Sequence, residues 1–324
     1  MSKSLRLVLV LILLLLWQGP AIVTASDPVH WGYAGEVGPE HWGDLSPDFV
    51  ACAQGEEQSP VDIPATAPIN PTGLGFNYQP SSLNIVNNGH AIQVNYDQGS
   101  NLEIGGATYP LAQFHLHSLS EHTLDGASTP MELHLVHKDT SGHVAVIGVM
   151  IVEGAENPAY EPILAHMPAE EGASQVISGT TISAGDLLPA DRNYYRYNGS
   201  LTTPPCTEGV QWFVMAAPVA LSTGQIAAFQ NLYDDNYRPV QPLNERTFLL
   251  TSELPPAVLP RTGGPDGPIP AMLIGLCLMT VALCRALSRH HTIGYGGLSS
   301  RRQFITFTAR GRGRPGCGCK GDQQ

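Results

Sequence analysis

Basic side chains are scarce in this 324-residue chain: 16 stand against 28 acidic ones, for a formal net charge of −12. Between residues 27 and 260 the shortage sharpens, with Lys138, Arg192, Arg196, Arg238 and Arg246 facing 26 acidic residues, a net of −21. Nucleic-acid binders neutralise phosphates with clustered Lys and Arg, so this body is not one of them. Cysteine is scarce too, and six in the whole chain do not make a disulfide-dense scaffold. No apolar stretch reaches the ~20 residues of a comfortable membrane span; the longest are Leu7–Trp17 and Ile269–Cys284. Charged residues are only 14% of the chain and apolar ones 43%, enough for a sizeable core and too apolar for wholesale disorder. The 34 glycines and 27 prolines punctuate short alternating runs, the pattern of strands and turns.

Positive charge gathers at the two ends. Lys3 and Arg6 precede Leu7–Trp17, followed by Gly19-Pro20 and the small-residue stretch Val23-Thr24-Ala25. This is the layout of a secretory signal peptide over residues 1–25, with an uncleaved anchor as the alternative. At the other end a Pro- and Gly-rich linker, residues 254–268, contains Leu259-Pro260-Arg261-Thr262-Gly263. An apolar segment follows over 269–284, then Arg285, Arg289, His290 and His291. This order resembles the cell-wall sorting signal of bacterial surface proteins, in which a sortase cuts between Thr and Gly and joins the Thr to the envelope. The segment after Arg285 is longer than such signals carry, and a plain C-terminal membrane anchor is the alternative. Residues 285–324, rich in Gly and Arg, read as a disordered tail. Both readings place the acidic body, residues 27–253, outside the membrane.

The cysteines sort by location. Cys277 and Cys284 lie in the apolar segment, Cys317 and Cys319 in the tail, and Cys52 and Cys206 in the body. Two cysteines in an oxidising compartment invite one disulfide, with a reactive thiol as the competing reading.

Ten of the twelve histidines lie in the body. Gln113-Phe114-His115-Leu116-His117 and Met131-Glu132-Leu133-His134-Leu135-Val136-His137 alternate with period two and read as strands. His115 and His117 therefore share a face. A neighbouring strand that brings His134 opposite them makes three imidazoles converge. Three neutral nitrogens with an open fourth position describe a catalytic zinc site, whereas structural sites are closed by four ligands. Gln113 and Glu132 are placed to hold the second ring nitrogens. His30, His41, His122, His137 and His143 read as structural or surface residues.

Eight blocks, in order, carry a resemblance from about His30 to about Leu250: His30–Tyr33, Gln58–Ile63, Asn87–His90, Gln113–His117, Ser120–His122, Glu132–His137, Ser200–Cys206 and Asn236–Arg246. The chain resembles the α-class carbonic anhydrases. The resemblance implies a mainly β (α+β) fold with a large, central, twisted, mostly antiparallel sheet and short peripheral helices. It implies one Zn²⁺ per chain on His115, His117 and His134, and reversible hydration of CO₂ to bicarbonate through hydroxide generated there. Thr202 would orient that hydroxide through Glu121, with Thr203 at the substrate edge. Val136, Val146, Leu201, Val210 and Trp212 match the apolar CO₂ pocket. His90 matches the proton shuttle, with Tyr33, Asn88 and Gln93 in its solvent network; Gln93 stands where the family often has Asn. Two other functions compete: a catalytically inactive surface binding module, and a zinc esterase. Oligomeric state is left open, a homodimer included. Independently of the resemblance, Ser82–Val86, His90–Tyr96 and Val144–Val152 read as strands, and Ser222–Leu232 as a helix capped by Ser222.

Overall fold

Alternation of apolar and polar residues sets the architecture of the computed structural model, which describes residues 29–71 and 73–250. The expected signal peptide, linker with its sorting motif, apolar segment and basic tail, with Cys277, Cys284, Cys317 and Cys319, lie outside the described residues. Eight strands form the path of the main sheet: β1 (Ser81–Asn87), β2 (Ile92–Asn95), β3 (Ala107–His117), β4 (Met131–Lys138), β5 (Val144–Glu153), β6 (Ser174–Ile182), β7 (Tyr194–Ser200) and β8 (Glu208–Met215). Their spatial order is β6-β1-β2-β3-β4-β5-β8-β7, and three short strands bring the sheet to eleven. Leu74–Asn77 and Asn101–Ile104 extend it beside β3, and Val219–Leu221 pairs with β5.

The sheet is mostly antiparallel, as expected. The two departures, β8 and Val219–Leu221, both run parallel to β5. A parallel neighbour needs a long crossover, and the chain between β5 and β8 supplies one by building β6 and β7. Helices are short and few among the described residues. Thr223–Gln230 is the longest, and Ser222 caps it: Gln225 N–H donates to Ser222 Oγ (3.2 Å) while Gln225 Oε1 accepts from Ser222 N–H (3.1 Å). This reciprocal pair satisfies two N-terminal donors that a helix otherwise leaves open.

Period-two patterning divides the sheet into two faces. Ile85, Val94, Phe114, Leu116, Leu133, Leu135, Ile147, Val149 and Phe213 join the larger buried cluster. Val146, Val210, Trp212 and Val214 turn the other way, packing with Val61, Ile63, Tyr197 and Phe248. Removing one such side chain, as in Leu133→Ala, costs about 2–5 kcal/mol through lost burial and the cavity left behind.

Long-range ties hold the loops on this second face. Cys52 and Cys206 form a disulfide across a sequence separation of 154 residues. Beside it Arg238, 1% exposed, donates to Gln58 Oε1 (2.9 Å), Ser59 O (2.7 Å) and Cys52 O (2.9 Å), joining the C-terminal segment to the N-terminal one. The Trp42 indole donates to Gly32 O (2.8 Å) and Val37 O (3.1 Å), folding the first described residues onto the same region. The disulfide is the covalent tie among them and closes a loop of 154 residues, so it constrains the unfolded chain strongly. We expect reductant to lower the unfolding free energy of the wild type by about 2–5 kcal/mol, and to leave a Cys52→Ala/Cys206→Ala variant unchanged. Urea titrations of both proteins with and without reductant measure this; equal reductant sensitivity would show that the cross-link contributes nothing.

Candidate metal centre

The register of β3 and β4 assembles the site. His115 lies opposite His134 and His117 opposite Glu132, while Phe114 and Leu116 between them turn into the core. On the flanking strands Gln93 of β2 is opposite His115, and Gly148 of β5 opposite His134. Gly148 has a steric reason: a Cβ there would stand 2.9 Å from Glu132 Oε1.

One nitrogen from each of His115, His117 and His134 lies within 4.8 Å of the others. Each ring's other nitrogen is engaged. His115 Nδ1 meets Gln113 Oε1 (2.9 Å), His117 Nδ1 meets the Asn236 carbonyl (2.6 Å), and His134 Nε2 meets Glu132 Oε1 (2.9 Å). All three partners are acceptors, so each engaged nitrogen carries the hydrogen. The lone pairs of His115 Nε2, His117 Nε2 and His134 Nδ1 are left to face the centre. His117 Nε2 is buried with no hydrogen-bond partner.

Burial reinforces neutrality. It lowers the His115 pKa well below the usual value, aided by the neighbouring His117 and His134. It brings His117 to about 4 and lowers His134 despite the opposing charge of Glu132. Three neutral donors converging without a thiolate suit a divalent ion of borderline softness such as zinc, with a coordination position to spare. The residues present therefore fit the expected cofactor.

Glu132 supports the centre from beneath. Its Oε2 accepts from Glu121 N–H (2.9 Å) and His122 N–H (2.8 Å), and its Oε1 from His122 Nδ1 (2.8 Å) as well as His134. Burial alone would raise this carboxyl, but His122 and His134 hold it well below the usual range. His122 Nε2 continues to the Tyr197 hydroxyl (2.7 Å), which meets Ser59 Oγ (2.9 Å). Glu121 accepts from Arg238 N–H at Oε1 (2.9 Å). Burial pushes Glu121 up to about 7, against the lowering pull of His134, Thr202 and that N–H. Thr202 acts on it from longer range, for Glu121 Oε2 has no partner at close hydrogen-bond geometry.

Above the histidines is a cleft of about 110 Å³, lined by Tyr33, Asn88, His90, Gln93, Gln113, His115, His117 and Thr203. Asn88 Nδ2 reaches Gln93 Oε1 (3.4 Å) and the Tyr33 hydroxyl is buried without a protein partner. Val136, Val146, Leu201, Val210 and Trp212 form one apolar cluster beside it, with Trp212 packed edge-on against His134 at 4.9 Å. A larger groove of about 700 Å³ lies at Glu56, Asn198, Glu245 and Arg246. Among the described residues, no metal-competent cluster falls there, whereas the smaller cleft is lined by His115 and His117 of the three-histidine cluster.

Sequence reasoning missed Asn236 and the specific partners of two structural histidines. Asn236 supplies the carbonyl for His117, while its side chain donates to His90 O and Leu116 O (both 3.0 Å); its only signal was its place at the head of a matching block. His122 is structural, as expected, but as the link between Glu132 and Tyr197. His137, also structural, pairs on the core side with the Tyr78 hydroxyl (2.8 Å).

Comparison with known proteins agrees with this geometry. The sequence model described as eukaryotic-type carbonic anhydrase matches residues 37–252. A carbonic anhydrase of Nostoc sp. is 47% identical over 229 residues, covering 69% of this chain and 87% of that protein. One from Pectobacterium atrosepticum is 43% identical, covering 70% and 93%. Among solved structures, the α-carbonic anhydrase of Thermovibrio ammonificans with the inhibitor sulfanilamide superposes with a TM-score of 0.66 at 43% identity, covering 69% of this chain and all of that one.

Three buried histidines and the half-buried His115, all with lowered pKa values, make the metal-free protein acid-sensitive. His117 and His137 both fall to about 4, and His115 and His134 are lowered too. Below pH ~6.5 the unfolded chain binds protons that these rings refuse, so stability present at pH 7 is lost as pH falls toward 4. Glu121 works in the opposite sense, one group against four. Urea unfolding of chelated protein at pH 7, 6 and 5 should give a falling free energy, with up to about 1.4 kcal/mol per pH unit from each histidine. A flat profile would exclude buried neutral imidazoles.

Proposed function

Since the chain belongs to the eukaryotic-type, or alpha, carbonic anhydrase family, its reaction is the reversible hydration of CO₂ to bicarbonate and a proton, and we propose that the three-histidine face carries it out. The observation that bears this reading is the outward set of all three tautomers, each fixed by an acceptor at the ring's far nitrogen. One zinc ion per chain, held by His115, His117 and His134, supplies Lewis acidity, the means of making water nucleophilic near neutral pH.

The protein's own residues do the rest. With Thr202 drawn in from the longer range seen here, Glu121 Oε2 would accept its hydroxyl hydrogen bond, leaving a Thr202 lone pair to accept from, and so orient, the attacking oxygen; orientation of this kind lowers a barrier by excluding unproductive geometries. Thr203 lines the substrate edge of the cleft. CO₂ has no net dipole, and the wall of Val136, Val146, Leu201, Val210 and Trp212 offers it an apolar surface without polar competition. His90, on the same cleft, takes the proton released by hydration, and Tyr33, Asn88 and Gln93 guide water between it and the histidines. Imidazole suits this step because it gains and loses a proton near neutral pH.

Stopped-flow CO₂ hydration tests the assignment. His134→Ala should lose both the zinc and rapid turnover. His90→Ala should keep the zinc, slow turnover in weak buffer by about tenfold or more, and recover with added imidazole. Zinc-free wild type, or turnover unaffected by His134→Ala, would overturn the reading.

The body is exported and held at the cell envelope in this reading. The N-terminal signal layout, the oxidised Cys52–Cys206 pair and the order of sorting motif, apolar segment and basic flank support it. Mass spectrometry of the mature protein should find an N-terminus after Ala25 and a C-terminus at Thr262 carrying envelope material. An intact 269–284 segment would reject sortase processing in favour of a plain anchor.

A further inference from the structure

His90 sits in a turn, Asn88-Gly89-His90, that a second segment backs. Gly89 has φ +85°, and a Cβ there would fall 2.4 Å from Glu171 Oε1. The positive φ favours glycine here, and its lack of a side chain lets the Glu171 carboxylate lie against the turn. The placement is built rather than incidental: Gly172 N–H donates to Asn87 O (2.8 Å) and Asn87 N–H to Ala173 O (3.0 Å). Asn87 Nδ2 also reaches Pro168 O (3.0 Å). The Tyr233 hydroxyl donates to Asn87 Oδ1, and Asn236 Nδ2 to His90 O (3.0 Å). The His90 ring is stacked on Trp31, with centroids 3.5 Å apart and planes at 9°. The ring thus has an aromatic face on Trp31, and the neighbouring residue of its turn, Gly89, has the Glu171 carboxylate against it.

We propose that Glu171 is a positioning residue for His90, a counter-charge on the turn that sustains the imidazolium formed when His90 takes up the proton. The proposal rests on His90 being the proton carrier. A carrier works best when its affinity lies near the ambient pH, and two influences pull His90 away from that. Burial lowers its pKa and so does His30; Glu171 opposes both. Tyr233 faces Glu171 in turn. Glu171 is exposed, so its influence is screened by salt, and it lies where a proton leaving His90 meets solvent.

The test is an NMR titration of the His90 ring in the zinc-loaded full chain, for wild type, Glu171→Gln and Glu171→Asp, at low and high salt. His90 of Glu171→Gln should titrate at lower pH than wild type, Glu171→Asp should lie between them, and high salt should narrow the gap. Turnover in weak buffer should fall about twofold in Glu171→Gln, the factor an exposed ion pair supports, and return with added imidazole, while kcat/KM for CO₂ holds. An unshifted His90 titration in Glu171→Gln overturns the proposal whatever His90→Ala does. A shifted titration with His90→Ala turning over like wild type upholds the counter-charge and removes the carrier reading instead.

Discussion

The site depends on one buried carboxylate. Glu132 has no solvent exposure, and a charge moved from water into the interior costs several kcal/mol unless its lone pairs are filled. Here they are, by two backbone N–H groups and two imidazoles. The same four contacts organise the site: those to residues 121 and 122 fix the bend that aims Glu121, the one to His134 sets its tautomer, and the one to His122 extends the network to Tyr197 and Ser59. Glu132→Gln would replace an acceptor oxygen by a donor amide facing donors, a mismatch with no rotamer that satisfies all four. Stability and chemistry meet in this residue because strand alternation gives it the site face while its neighbours Met131 and Leu133, both 0% exposed, face the core.

A second constraint is closure from a distance. The strands supply histidines, but the carbonyl for His117 comes from Asn236 and the N–H for Glu121 from Arg238, more than a hundred residues along the chain. Arg238 reaches the carbonyl of Cys52, and Cys52 is bonded to Cys206 in the loop that follows Thr202 and Thr203. These contacts form a ring: the C-terminal segment, the N-terminal segment and the threonine loop each touch the next. A fold whose site is completed by such non-local ties gains little from any one segment alone, and a covalent tie across 154 residues removes part of the unfolded-chain entropy that the others must overcome.

Much of this was legible in the sequence because alternation is local. Gln113–His117 and Met131–His137 carry their period in five to seven residues, and the inward set of His115, His117, Gln113, Glu132 and His134 follows from parity once the two strands pair. Ser222 announced its helix through the capping pattern, although the helix stops at Gln230, two residues short of the expected Leu232. The resemblance supplied what parity does not: that His134 joins His115 and His117, and the roles expected of Thr202 and His90. Asn236 escaped residue-level reasoning because a backbone carbonyl has no sequence identity, and its position is set by the path of a segment without regular structure. The linking role of His122 escaped because a histidine buried between Glu132 and Tyr197 looks, in sequence, like any histidine in a polar bend.

The two faces of the sheet also explain why this site leaves little freedom for change. β3, β4 and β5 place core and site residues alternately on the same backbone, so a one-residue slip in register would exchange them and drive His115, His117 and His134 into the apolar core. The cost of such a slip, several buried imidazoles without acceptors and several leucines set against the polar groups of the site face, protects the metal geometry more strongly than any single hydrogen bond. Gly148 adds a steric lock at the centre, since a side chain there would displace the Glu132 carboxylate. The rim obeys no such rule. His90, Trp31 and Glu171 lie on turns and segment ends, where substitutions shift proton traffic without disturbing the sheet. Precision is therefore concentrated where zinc would bind, and adjustability where the proton leaves.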